Sequence, residues 1–421
     1  MQVVETIFGA ISKGVAFLRR QHHDWKITVA RTSLFRFNDQ MLFPYLSIYI
    51  VALGASATQL GIVNSAGMAT AGLAGPLIGW LIDKIGAKTL YLLGIGFLAV
   101  SYFTYGIAQS WPIIIVAMLA YWLGQSTSIH SCATICGNCL TNEDRATGMA
   151  ICESVAAGLL GMAGPMLGAL LVTNFGGVNI GGIRPLFFVC VAVTIGTFIL
   201  ILVQLSNRKW GELGRIGTGF FRDFSQIFKE GRYLKRWMVI VAIGQLPLGM
   251  VLPFSQLFAY EVKGADQYVL GAMVTGAALT SLVLGIPMGM LADKFGRKKV
   301  LYCSIPLFWV SNLILIWAPS PALLIAAGVL QGFFFINGPL AAAMERELVP
   351  PEQMGRWLGI TRLCRMLLAA GLAYVAGIIW DSIGPQYVFL MAIGLDLFIR
   401  IPLLIGMPET LGLKIGVEQR E

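Results

Sequence analysis

Charge is scarce in this 421-residue chain: Asp, Glu, Lys and Arg make up 12% of it, about half the share of a soluble globular domain. So little charge cannot solvate the surface of a water-soluble fold of this length. Cysteine is sparse too, seven residues lying mostly in apolar runs, which excludes a disulfide-stapled scaffold. There is no P-loop, H-E-x-x-H or G-x-S-x-G pattern. ATP-driven work and hydrolysis therefore have no footing, and neither an enzyme nor a cofactor is expected. Apolar residues are what the chain has in excess, 57% of the total, with mean hydropathy +0.76. That excludes disorder and leaves a polytopic membrane protein.

A helical span takes about 20 apolar residues. Twelve segments qualify, at roughly 31–53, 59–82, 89–109, 112–136, 147–172, 185–205, 237–260, 267–292, 300–317, 322–343, 357–380 and 386–406. They lack the alternation of a membrane β-barrel, and their short connections imply antiparallel neighbours in a bundle. Basic residues orient them. With the N-terminus inside, the inner segments hold 24 Lys and Arg, whereas the outer loops hold two, Arg184 and Lys263. Both termini are therefore expected in the cytoplasm, in a plasma membrane. The net charge of +9 marks cytoplasmic loops and carries no nucleic-acid signal. No cleavable signal peptide is visible. In residues 1–30, Val4, Ile7, Phe8, Ile11, Val15 and Leu18 recur at helical spacing, as in a helix lying on the inner membrane surface or a frayed tail.

The chain repeats itself. Gly54, Gly61, Gly79, Asp83, Gly86 and Lys88 recur 210 residues later as Gly264, Gly271, Gly289, Asp293, Gly296 and Lys298. Arg145 and Gly148 reappear as Arg356 and Gly359. Residues 31–205 and 237–406 are thus read as two six-helix halves in the same orientation. Residues 206–236 form a cytoplasmic linker in which Phe220, Phe221, Phe224, Ile227 and Phe228 suggest an interfacial helix, and 407–421 form a cytoplasmic tail. Two parallel halves about an axis along the membrane normal are a transporter plan, with substrate held between them near mid-membrane.

The loops after spans 2 and 8 read Gly79-Trp-Leu-Ile-Asp83-Lys84-Ile-Gly86-Ala87-Lys88 and Gly289-Met-Leu-Ala-Asp293-Lys294-Phe-Gly296-Arg297-Lys298. These resemble the G-x-x-x-D-R/K-x-G-R/K-R/K signature of the major facilitator superfamily, present in both halves. Physically, Gly79 or Gly289 admits a close neighbouring helix, and Gly86 or Gly296 admits φ > 0. The resemblance implies an all-α integral membrane protein with twelve transmembrane helices in two pseudo-symmetric halves, and a loop that acts as a cytoplasmic latch. Ala87 departs from the signature. Span 5 carries Gly161, Gly164, Pro165 and Gly168, similar to the glycine-proline motif of the drug-efflux, antiporter branch. The Arg that the family places in span 4, associated with proton antiport, is Ala120 here.

Ionisable groups inside spans are functional candidates by default. Asp39 leads, either as a proton site or cation anchor or as an i,i+3 partner of Arg36 beside Asn38. Glu153 reads as a second proton carrier or as a partner for an Arg. Arg362 and Arg365 suggest pairing with Asp83 across the halves, while Asp396 and Arg400 suggest pairing with each other. The resemblance implies that spans 1, 4, 7 and 10 line the cavity, which makes Gln125, His130, Gln245, Gln331 and Asn337 candidates, with Tyr45, Tyr49, Tyr121 and Trp122 as walls. Cys132, Cys136 and Cys139 have the spacing of an iron–sulfur site but share one face of an apolar helix, so reduced thiols and no metal are expected. The chain is read as a secondary transporter of a small organic solute, working by alternating access, with protons as the coupling ion and the bilayer as its surroundings, as a monomer. The leading version is export. Metabolite uptake and a non-transporting sensor or scaffold are the alternatives.

Overall fold

The computed structural model describes residue 17 and residues 20–141, 148, 152, 156–207, 233–349 and 354–411, with side chains left undescribed at 76, 79, 80, 83, 137, 156–159, 355 and 356. The expected N-terminal surface helix up to residue 16, Arg145, Glu153, the linker phenylalanines and the tail beyond 411 lie outside the described residues.

Nine helices among the described residues are long and apolar enough to cross a membrane. Span 1 starts earlier than its hydropathy indicates, at His23, and breaks between Leu42 and Leu46 before ending at Ala52. Span 5 is described as Ala156–Asn174, of which Leu160–Asn174 is the apolar part. Span 2 runs Ala57–Ile85, span 3 Ala87–Ile107, span 4 Trp111–Cys139 and span 6 Ile180–Gln204. In the second half, spans 8 to 11 run Gln267–Phe295, Arg297–Trp317, Pro321–Leu348 and Met354–Ser382. Spans 7 and 12 each contain one wider π turn, Pro247–Val251 and Asp396–Arg400.

The repeat fixes local structure residue by residue. Ser56 caps span 2 by accepting from Gln59 N, and Asp266, 210 positions on, caps span 8 by accepting from Val269 N. Such caps satisfy amides that the first turn leaves free. Gly86 and Gly296 hold φ of +85° and +110°, turning the chain between spans 2 and 3 and spans 8 and 9. The Ser101 hydroxyl donates to Ala117 O at 2.7 Å, and Ser311 donates to Ala327 O at 2.8 Å.

The signature lysines behave alike as well. Lys88 Nζ donates to Leu202 O and Leu205 O, at the end of span 6. Lys298 Nζ donates to Ile405 O at 3.0 Å and Met407 O at 2.6 Å, at the end of span 12. Each therefore caps carbonyls of its own half. Charge-assisted bonds of this kind are worth about 1.5–3 kcal/mol when buried, and less at a half-exposed site. Lys298→Met is expected to cost about 1 kcal/mol, read as a lowered Tm of the detergent-solubilised protein.

Core packing differs between the two faces. The face on which the chain passes from span 6 to span 7 is called the linker face below. On the opposite face one large core joins both halves, with Tyr49, Tyr105 and Phe187 from the first and Phe254, Phe258 and Phe389 from the second. Toward the linker face the halves keep separate cores, one around Tyr91, Ile95 and Ile201 and the other around Trp237, Leu301 and Trp357. Between the halves, span 2 packs along span 11 and span 5 along span 8. Leu77, Ile286 and Phe398 are exposed outside the bundle, where lipid tails would cover them.

Candidate functional site

A cavity of about 240 Å³ lies between the halves, walled by spans 1 to 4 and by spans 7, 8 and 10. Glycines set its walls. Spans 3 and 4 approach so closely that a Cβ on Gly124 would meet Gly94 O at 2.6 Å. The Trp122 indole occupies the space that a Cβ on Gly67 of span 2 would need. Span 5 backs span 1: a Cβ on Gly164 would meet Phe37 O at 2.7 Å, and one on Gly168 would meet Met41 O at 2.9 Å. Gly161 is looser, its nearest neighbour being Gln40 Cγ at 3.7 Å. Pro165 sits inside the helix, and its carbonyl oxygen would lie 3.0 Å from a Cβ on Gly271 of span 8.

The polar groups of the wall are few. Asp39 faces the cavity and accepts a hydrogen bond from the Tyr121 hydroxyl. Arg36 lies one turn earlier on the same wall, and Asn64 and Gln125 also line the cavity. Span 10 contributes Gln331, whose buried Nε2 has no hydrogen-bond partner among the described residues. A buried donor left open in a cavity wall suits an acceptor arriving with a ligand. The π turn of span 7 puts Leu248 into the wall beside Leu252 and Pro253, and Gly249 presses against Ala369 O. Met68, Met118, Tyr102, Tyr105 and Phe335 complete an aromatic and thioether surface.

The cavity is shut on the face away from the linker. There Tyr45 OH donates to Gln267 O at 3.0 Å, Gln267 Nε2 to Thr173 Oγ1 at 2.9 Å, Tyr260 OH to Val178 O at 3.1 Å and Thr58 N to Asp381 Oδ2 at 2.8 Å. Each bond joins one half to the other. A Cβ on Gly61 would meet Ala373 O at 2.5 Å, and Gly377 presses on Ala57 and Thr58. In the other direction Arg36 and Gln125 also border a second cavity of about 260 Å³, lined by Ser128, Cys132 and Cys152. The two cavities thus share walls along a path toward the linker face.

The sequence candidates separate accordingly. Arg36, Asp39 and Gln125 reach the central cavity. Asn38 does not: its amide is buried and donates to Cys190 O and Thr194 Oγ1 of span 6. His130 Nε2 lies 3.4 Å from Arg362 Nη1, and Arg362 Nη2 donates to Ser126 at 3.4 Å, a link between spans 4 and 11. Gln245 and Asn337 border a separate 190 Å³ cavity inside the second half, and Asn337 accepts from Ser304. Tyr121 and Trp122 are wall residues, whereas Tyr45 and Tyr49 are buried in the packing of the closed face.

Arg362 meets His130 of the first half, and Arg365 pairs with Glu345 of its own half, while the side chain of Asp83, their expected partner, lies outside the described residues. Asp396 and Arg400 do pair, at 3.5 Å, with Trp309 Nε1 donating to Asp396 at 3.1 Å. Around the second signature loop, Arg297 pairs with Asp293 at 3.5 Å and with Glu347 at 3.2 Å, and Glu409 accepts from Arg297 N and Lys298 N. Every one of these partners belongs to the second half. Gly289 does not admit a close helix here, since a Cβ on it would meet nothing within 4 Å. The side-chain positions of Gly79 and Asp83 in the first loop lie outside the described residues.

A family model described as Major Facilitator Superfamily matches residues 32–269 and 237–414. Among curated proteins, the multidrug resistance protein MdtG of Escherichia coli O9:H4 (strain HS) is 26% identical over 279 residues, covering 63% of this chain and 65% of that protein. MdtG of Yersinia enterocolitica serotype O:8 is 26% identical over 289 residues, covering 66% of each. The chain thus matches slightly less than two thirds of the length of these relatives. Among solved structures, a point mutant of the nucleoside transporter NupG superposes with a TM-score of 0.77 at 15% identity, covering 90% of this chain and 99% of that one. The human organic anion transporter MFSD10 (TETRAN) superposes with a TM-score of 0.65 at 18% identity, covering 91% and 99%.

Proposed function

From the premise that this chain belongs to the Major Facilitator Superfamily, a family of transporters and not of enzymes, we propose that it exports an amphipathic, partly aromatic organic solute in exchange for protons. The observation that carries the proposal is the central cavity. It pairs one carboxylate, Asp39, with aromatic and methionine walls and a few amides. Such a surface holds a flat apolar body by contact and a polar or cationic group by charge and π-face attraction. Methionines adapt to different shapes, in keeping with a broad substrate range. The name multidrug resistance protein, carried by the MdtG relatives, supports the same reading.

The distribution of Lys and Arg favours a cytoplasmic linker face. On that orientation the cavity is approached from the cytoplasm and sealed from the outside, the state that loads an exported solute. Outward release requires the glycine-lined seam between spans 2 and 11 to part while the linker ends of the halves close. Arg362 and His130 already touch there. The closing of the linker side leaves the two half-domains, residues 31–205 and 237–406, as the moving bodies.

Purified protein in proteoliposomes is the test. An imposed pH gradient, acid on the side away from the linker face, is expected to drive uphill movement of cationic aromatic dyes toward that side. Flux that ignores the gradient would remove the proton. The absence of both flux and ligand-dependent thermal stabilisation, over a panel of drugs and metabolites, would remove the transporter reading.

A further inference from the structure

The cysteine spacing in span 4 reads differently once span 5 is in place. Cys139, third in the sequence pattern, stays apart, and Cys152 takes its place. The Sγ atoms of Cys132, Cys136 and Cys152 all lie within 4.8 Å of one another. Cys132 and Cys152 are 3.6 Å apart and Cys136 and Cys152 are 3.9 Å apart. Three thiolates around one ion at a bond length of about 2.3 Å, in a plane, stand about 4.0 Å from each other. The two spacings of 3.6 and 3.9 Å lie close to that value, while all seven cysteines are free thiols.

From this geometry we propose that Cys132, Cys136 and Cys152 form a three-thiolate site for a soft d¹⁰ metal ion of the Cu(I) class, clamping span 4 to span 5 near the linker face. The donor set is all sulfur: no His, Asp or Glu joins the group among the described residues. Soft donors in a three-coordinate set select Cu(I) over ions that take oxygen or imidazole. Three thiolates and one Cu(I) carry a net charge of −2, which must be balanced in an apolar setting.

Two guanidinium groups stand ready for that. Arg31 and Arg36 border the same 260 Å³ cavity as the three sulfurs. Arg31 is buried between the rings of Phe35 and Tyr91, at 5.0 and 4.9 Å, and its Nε and Nη2 have no hydrogen-bond partner among the described residues. A buried guanidinium with open donors is costly by itself, and an anionic metal–thiolate group would supply its counter-charge. The cavity gives the ion a way in and the thiol protons a way out. Binding replaces three S–H bonds with three S–metal bonds and releases three protons, with no change in oxidation state.

The test uses the whole chain in detergent, reduced and anaerobic, titrated with Cu(I) against a chromophoric Cu(I) chelator. The expected result is one tightly held Cu(I) per chain, about three protons released per ion, and protection of Cys132, Cys136 and Cys152, but not Cys303, from maleimide labelling mapped by mass spectrometry. Cys152→Ser is expected to weaken binding at least 100-fold, and Cys303→Ser to leave it unchanged. Protection needs no variant, so a misfolded mutant does not decide the matter. No Cu(I) bound, equal labelling of all four cysteines with and without Cu(I), or undiminished binding in Cys152→Ser would each overturn the proposal.

Discussion

Asp39→Asn is expected to uncouple solute movement from the pH gradient, with gradient-driven flux falling on the order of 100-fold or more, the scale set by removing a proton-transferring group. Downhill exchange of the solute should survive. The reasoning starts from position. Asp39 is the carboxylate on the wall of the central cavity, one helical turn from Arg36 and in hydrogen-bond contact with the Tyr121 hydroxyl. A carboxylate in such a place changes its charge at a large energetic cost or benefit, so a cationic solute and a proton compete for it. Asn keeps the size and can still bond to Tyr121, but it cannot take up the proton. Tyr121→Phe separates the two roles: it should change the pH at which transport is half-maximal and leave coupling in place. Coupling preserved in Asp39→Asn would take the proton away from this residue.

A second large effect is expected at the closed seam. In Gly61→Leu a Cβ would stand 2.5 Å from Ala373 O, and Gly377→Val presses equally on the backbone at Ala57 and Thr58. Backbone cannot swing aside as a side chain can. Overpacking of this kind costs about 1–3 kcal/mol in a soluble core, and opening the seam relieves it. Alternative states of a switching protein differ by a few kcal/mol, and each 1.4 kcal/mol is about tenfold in population. Both variants should therefore shift the chain toward the state open on the face away from the linker. A reporter cysteine in place of the buried Ala55 should be alkylated at least tenfold faster in either background, and transport should fall. Unchanged alkylation together with a lowered Tm would show that the glycines serve packing alone.

Much of this was legible in the sequence for a simple reason. Membrane crossing and the internal repeat are written in apolar runs and in glycines whose roles need no partner information, as Gly86 and Gly296 show. Site residues were harder because a helix position does not state which way it faces. Asn38 and Asp39 are neighbours, yet a 100° step turns Asn38 into span 6 and Asp39 into the cavity. Tyr102, Asn64 and Met68 escaped notice because they sit on spans 2 and 3, and one glycine, Gly67, brings Trp122 and span 2 together. The paired caps Ser56 and Asp266 could have been found, since they lie 210 positions apart and differ only in which oxygen accepts. The thiol cluster could not, because Cys152 lies outside the sequence pattern and joins Cys132 and Cys136 only in the folded chain. Arg31 shows the same limit from the other side: counted by position it belongs to a cytoplasmic flank, yet the fold buries it in span 1.

The seam between the halves has one further property. Among the described residues, none of the four ion pairs joins one half to the other. What holds the closed face is the apolar core that joins the halves there, contact between backbones, and hydrogen bonds such as those of Tyr45 to Gln267 and Thr58 to Asp381, all of them short-range forces. Coulomb attraction would fade gradually and could hold a half-parted gate at many widths. Short-range adhesion has no such intermediate positions, so the gate behaves as a latch that is either shut or free, and added salt has little to screen.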